Sequence, residues 1–262
     1  RIRPQQSEQV AAGFAKDFDK QGFTLSIEGY YKAMNDIISY KEGASFLNVN
    51  GENAREVNWE DNITTGKGWS YGVEVLIQKK VGRFSGWIGY TWSKTQWQFP
   101  AINFGRVFFP RYDRRHDVSV VATYRFNEAW EIGATWTFAT GQAYTMPSSQ
   151  FYYSGIPGQD RQSTGGYFYG GQFNSYTERN GFRLPDFHKL DVNLTNNFTW
   201  FGLPFNFSIN VYNVYNRQNP FAWILNYRPQ PTQNPTITGS VPVLTQYTLF
   251  GIVPTISLGF KF

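Results

Sequence analysis

Apolar and polar residues alternate with a period of two through most of this chain, the pattern of β-strands with one buried face. The stretch 248–262 shows it most openly. Phe250, Ile252, Ile256, Leu258, Phe260 and Phe262 share one parity, and Gly251, Thr255, Ser257, Gly259 and Lys261 share the other. Eight earlier stretches follow the same rule, which predicts strands over 7–19, 23–32, 70–78, 87–93, 117–126, 130–138, 190–195 and 205–211. Between them the alternation lapses. Short polar turns are expected near residues 20, 81, 128 and 202, and long irregular loops over 34–67, 96–115, 140–184 and 216–245.

Short and long connections therefore alternate without exception. Successive connections of an antiparallel meander lie at opposite ends, so all long loops share one end and all short turns the other. The apolar parity is expected to be free of charge over the ten or so residues that would cross a bilayer. The polar parity carries Glu28, Glu74, Asp117, Arg125, Glu131 and Asp191 among Asn, Ser, Thr and Gly. A soluble β-sandwich would also alternate, but its outer face would be richer in Lys and Glu. The expected fold is all-β: a transmembrane antiparallel β-barrel with long extracellular loops and a periplasmic C-terminus. About nine strands cannot close a barrel of even strand number, so a fragment of a larger barrel is expected. Pro254 falls on the apolar parity of the last stretch and predicts a bulge or a broken ladder there.

Composition changes this picture in two places. Phe, Tyr and Trp number 24, 17 and 9 among 262 residues, an excess that aromatic girdles at two membrane interfaces would account for. Mean hydropathy is −0.45 and no run of about 18 apolar residues occurs, which excludes a transmembrane helix. The formal charge is +5 with a pI near 9.2. Its basic residues are scattered instead of forming the stripe of a nucleic-acid binder, so no nucleic-acid partner is expected. Cysteine is absent, which excludes a disulfide framework and thiolate chemistry.

Four segments carry a family resemblance: GWSYGVEVLIQKKVGRFSGWIGYTWS (68–93), FPRYDRRHDVSVVATYRF (109–126), NVYNVYNRQNP (210–220) and the Phe-ended last strand. Together they resemble the C-terminal part of TonB-dependent outer-membrane receptors, nearest to the Bacteroidetes type with a carboxypeptidase-like regulatory domain. The resemblance implies a barrel of about 22 strands around a separate plug. Residues 1–262 would be its C-terminal portion, and the plug and N-terminal strands would lie outside this chain. It also implies energised uptake of a ligand, without enzymatic activity or cofactor. Implied partners are outer-membrane lipid, the TonB complex through the missing plug region, the barrel-assembly machinery, and a surface lipoprotein or other subunit. Phe260 and Phe262 resemble the terminal signal that the assembly machinery reads. Two rivals stand beside this reading: a passive porin or a barrel of a secretion or surface-anchoring complex, and a soluble all-β binding protein.

Candidate chemistry is confined to the loops. Arg111, Asp113, Arg114, Arg115, His116 and Asp117 form the densest charged group; the resemblance implies a place where a strand leaves the membrane, with these charges paired to one another and to lipid head groups, and a ligand contact or metal site at the loop base is the alternative. With only His116 and His188 present and no HxH or HExxH spacing, no metal site is expected. No GxSxG elbow supports a hydrolase. Aromatic residues with interspersed arginines could stack on a sugar, siderophore or peptide. The candidates are Trp97, Phe99, Arg106, Arg111 and Tyr112 in one loop and Tyr144, Tyr152, Tyr153, Arg161, Tyr167 and Tyr169 in another, with Phe104 and Phe108 nearby. The same residues could equally serve only to pack the loops together.

Overall fold

The computed structural model describes residues 3–42, 44, 59–146, 149–153, 171–231 and 238–261. In chain order the strands are β1 (Gln6–Phe18), β2 (Phe23–Tyr40), β3 (Ile63–Lys79), β4 (Phe84–Gln98), β5 (His116–Arg125), β6 (Trp130–Ala139), β7 (Ala143–Tyr144), β8 (Ser149–Tyr153), β9 (Gly171–Ser175), β10 (Phe182–Arg183), β11 (Phe187–Trp200), β12 (Leu203–Tyr212), β13 (Ala222–Pro231), β14 (Thr238–Tyr247) and β15 (Val253–Phe260). Nine of them make one antiparallel sheet in the order β1-β2-β3-β4-β5-β6-β11-β12-β15. These are the nine strands of the alternating pattern. The remaining six pair as β7–β10, β8–β9 and β13–β14, all inside the long loops.

Register turns nine separate alternations into two continuous faces. One row runs Phe14, Ile27, Val75, Tyr90 and Val118 to Phe138. Another runs Ile132, Leu194, Ile209 and Ile256. Slipping any strand by one residue would move its apolar set to the other face, so the shared parity fixes the pairing. Among the described residues nothing covers the apolar face: Val10 is 75% exposed, Phe14 63%, Ile256 69% and Leu258 63%. A patch of this extent needs an apolar environment.

Two aromatic rows border that face. Phe18, Phe23, Phe84, Tyr124, Trp130, Phe198, Phe205 and Phe260 lie at the short-turn end, with Phe198 stacked on Phe205 and Phe205 against Phe260. Tyr71, Tyr90, Trp92, Trp136 and Phe138 lie toward the long-loop end. From Trp130 to Phe138 along β6, about 3.3 Å per residue at a tilt near 40° gives a height of roughly 20 Å, close to the apolar band of an outer-membrane barrel.

Short connections join β1–β2, β3–β4, β5–β6 and β11–β12, all at one end. The β5–β6 turn is held by the Asn127 side chain, whose Oδ1 accepts from the amides of Ala129 (2.9 Å) and Trp130 (2.8 Å). In the β11–β12 hairpin Phe201 (φ 50) and Gly202 (φ 76) both adopt the left-handed conformation that a two-residue primed turn requires.

Four expectations are corrected. The 34–67 and 96–115 loops are shorter than the alternation suggested: β2 runs on to Tyr40, β3 begins at Ile63 and β4 reaches Gln98. A bulge between Met34 and Ile37, with Asp36 at φ 54, shifts the parity and hid the continuation of β2. The last strand starts at Val253, so Phe250 and Ile252 precede it.

Pro254 breaks nothing, because the β12–β15 register runs unshifted from Phe205↔Phe260 to Tyr212↔Val253. The Lys261 amide donates to the Pro204 carbonyl, so residues 255, 257 and 259 face β12 and Pro254 turns its nitrogen to the free edge. The apolar parity also carries one charge within its band, Lys16, paired with Leu25. Its ammonium lies 5.0 Å from the Phe18 ring centroid, reaching back to the aromatic row.

Candidate functional site

Among the described residues, a buried apolar cluster lies at the long-loop end of the sheet, where the 99–108 loop packs on β2 and β4. Ile37, Phe99, Ile102 and Phe108 form it, with Met34 and Trp97 packed against them. Trp97 lies on the polar parity of β4 and its backbone pairs with Phe108 in both directions, at 2.8 and 2.9 Å. The rings find room because β3 presents glycines beneath them. A Cβ on Gly66 would lie 2.5 Å from the Phe99 ring and 2.4 Å from the Gln98 carbonyl, and one on Gly68 would lie 2.7 Å from Trp97. The 99–108 segment thus folds inward over the polar face.

Asp113 ties this knot to the strands. Its side chain is fully buried, accepts from the Thr95 amide at 2.7 Å, and pairs with Arg115 (3.0 Å) and with Arg183 from β10. The two guanidiniums lie 4.9 and 5.0 Å from the Phe109 centroid. Arg183 also donates to the carbonyls of Asp113 and Gly141. The dense charged group is therefore a structural junction at Asp113 and Arg115. Arg183, 70 residues away, completes it, and no local signal in the sequence marked it as the partner.

A second junction presents residues to solvent. Asn103 is completely buried. Its amide donates to Glu42 (2.6 Å), and its Oδ1 accepts from the Arg179 amide (2.9 Å). Asn103 and Phe104 both have left-handed backbone, at φ 51 and 56. That conformation is costly for phenylalanine and is held here by the contacts around it. The result is Phe104 standing 75% exposed with the Arg106 guanidinium 5.4 Å from its centroid, while Arg106 donates to the Thr177 carbonyl. Tyr112, 58% exposed, packs edge-on to Trp97 at 5.7 Å. Partial burial, then the Asp113 charge, raise its phenol above the usual range, so it stays a neutral donor.

The candidate residues accordingly divide. Phe99 is fully buried and Trp97 half-buried, so both rings are committed to packing. Arg106, Arg111 and Tyr112 are exposed in the segment that carries Phe104. Tyr144 donates to the Trp223 carbonyl (2.5 Å) and Phe182 packs on the Trp223 ring, joining β7 and β10 to β13. Tyr152 and Tyr153 are placed by their backbone in β8, opposite Gln172 and Gly171. Arg161, Tyr167, Tyr169 and Phe262 lie outside the described residues. Phe260 ends β15, paired with Phe205 at the short-turn end.

A family model described as TonB dependent receptor-like, beta-barrel, matches residues 1–249. Among solved structures, the chain is similar to the ferripyoverdine receptor of the outer membrane of Pseudomonas aeruginosa, bound to ferripyoverdine. Identity is 12% and the TM-score 0.51, over 84% of this chain and 24% of the other, a likeness of fold. No curated protein matches the sequence.

Proposed function

Because this chain belongs to the TonB-dependent receptor β-barrel family, we propose that its nine strands are a C-terminal arc of the wall of an outer-membrane receptor that takes up its ligand under TonB-coupled energy. The observation that carries this reading is the single apolar face, bordered by two aromatic rows, with every long loop at one end. Strands outside this chain would pair with the free edges of β1 and β15, and a plug outside it would occupy the lumen and contact TonB. The long loops would be extracellular and the end of β15 periplasmic. Ligand contact falls to the exposed group Phe104, Arg106, Arg111 and Tyr112, by stacking and charge, with no covalent chemistry. A surface lipoprotein or another subunit could cover the same loops.

The rival within the same fold is a passive porin. The inward-folded knot of Trp97, Phe99, Ile102 and Phe108 over the polar face favours a closed receptor. The intact protein, reconstituted in a planar bilayer, is expected to show no steady ohmic conductance at low voltage. A permanently open, ion-conducting pore would overturn the receptor reading in favour of the porin.

A further inference from the structure

Of the two-stranded sheets outside the main sheet, β13–β14 is the longest. Its residue pairs run from Ala222↔Tyr247 to Pro231↔Thr238 without a register shift, and among the described residues no third strand joins either outer edge. Such edges present free N–H and C=O groups on which another chain can add a strand. Proteins blunt them by keeping them short, bulged, charged or interrupted by proline. β13 and β14 are neither short nor bulged, and Arg228 is the one charge in their sequences AWILNYRPQP and TGSVPVLTQY. Both are rich in the aromatic and β-branched residues of strands that add to one another. What remains is proline.

The two strands contain Pro229, Pro231 and Pro242, and all three fall on the outer edges. In an antiparallel pair, residues alternate between those that exchange N–H and C=O groups with the partner strand and those that turn both groups outward. Trp223 is of the second kind, since its carbonyl is turned away from β14 to accept from the Tyr144 hydroxyl (2.5 Å). Counting by twos from Trp223 places Pro229 and Pro231 on the outer edge of β13. The matching phase of β14, which holds Pro242 opposite Tyr227, faces outward as well. Tyr247 marks the other phase, because its carbonyl faces β13 and accepts from the Phe221 amide (2.8 Å). The prolines therefore remove none of the hydrogen bonds inside the hairpin. They remove donors from its two edges alone.

We propose that Pro229, Pro231 and Pro242 keep this hairpin from joining a second copy of the chain edge to edge. A second copy brings the same apolar, nearly uncharged edges, so charge repulsion would not hold the two apart. An opened β13 edge would pair with β13 of another copy about a two-fold axis and stop at a dimer. With both edges open, each copy would have two pairing sides and the contact would repeat without closing. The inference concerns the hairpin alone and does not depend on the receptor reading.

The test is the mass of the intact, detergent-solubilised protein, measured by size-exclusion chromatography with light scattering over a concentration series. P229T/P231T opens the β13 edge, P242T opens the β14 edge, and the triple variant opens both. Each partial variant is expected to reach about twice the protein mass of the natural sequence, and the triple variant to form a broad series of larger species. Adding L225P and L244P, which return proline to other outward positions of the same edges, should bring the triple variant back to the natural mass. A triple variant that keeps the natural mass and the natural thermal stability would overturn the proposal. Association that L225P and L244P fail to reverse would trace to misfolding instead of edge pairing, and would overturn it too.

Discussion

At the scale of single residues, one buried carboxylate does most to organise the loops. Asp113 accepts from the Thr95 amide and from two arginines, so it joins the pre-β5 loop to β4 and β10 at one point. The arginine side chains keep 26% and 32% of their exposure, which screens the pairs and lowers their worth below that of a fully buried triad. Asp113→Asn is expected to lose about 1–3 kcal/mol of local stability, read as roughly 10- to 100-fold faster hydrogen exchange at the Thr95 amide. Unchanged exchange there would mean that the carboxylate charge is dispensable. The sequence marked the charged group, but not which of its members pair or with what. Asp113 and Arg183 are 70 positions apart, and only the fold sets them side by side.

At the scale of elements, strand alternation was legible wherever one face is uniformly apolar, and failed where strands leave that regime. Beyond the aromatic row on the long-loop side, β2, β3 and β4 no longer face a single apolar medium. There Ile37, Trp97 and Phe99 point to a loop core and the parity is interrupted by a bulge. What replaces alternation as the signal is glycine: Gly66 and Gly68 open β3 to the rings of Phe99 and Trp97. Gly66→Ala is expected to cost about 1–3 kcal/mol through displacement of Phe99 or separation of β3 from β4, seen as faster exchange of the Trp97 amide. Gly133→Ala on the same face is the control. A Cβ there would lie no closer than 3.9 Å to its nearest neighbour, so little change is expected. Equal effects of the two substitutions would remove the close-approach explanation.

At the scale of the whole molecule, the disposition of loops relative to the membrane is the property on which the receptor reading depends. Because this chain has no cysteine, single cysteines can report it, with any cysteines elsewhere in the intact protein removed. Phe104→Cys in a long loop and Phe201→Cys in a short turn are suitable, since the native residues are 75% and 85% exposed. A membrane-impermeant maleimide added to intact cells is expected to label the first and spare the second until the outer membrane is permeabilised. The reverse pattern would invert the orientation. By itself, the sequence determined the nine strands of the sheet, their shared apolar face, the alternation of short and long connections, and the family. The first three follow from a period-two pattern repeated strand by strand, which needs no knowledge of distant contacts; the family was legible as a resemblance of segments 68–93, 109–126, 210–220 and the last strand. Tertiary structure alone decided that the 99–108 loop packs on β2 and β4 as a buried core, that Phe99 is packed away while Phe104 is displayed, and that Arg183 completes the Asp113 junction. Each of these depends on which side chains, far apart along the chain, meet at the loop end of the sheet, and no local pattern encodes that meeting.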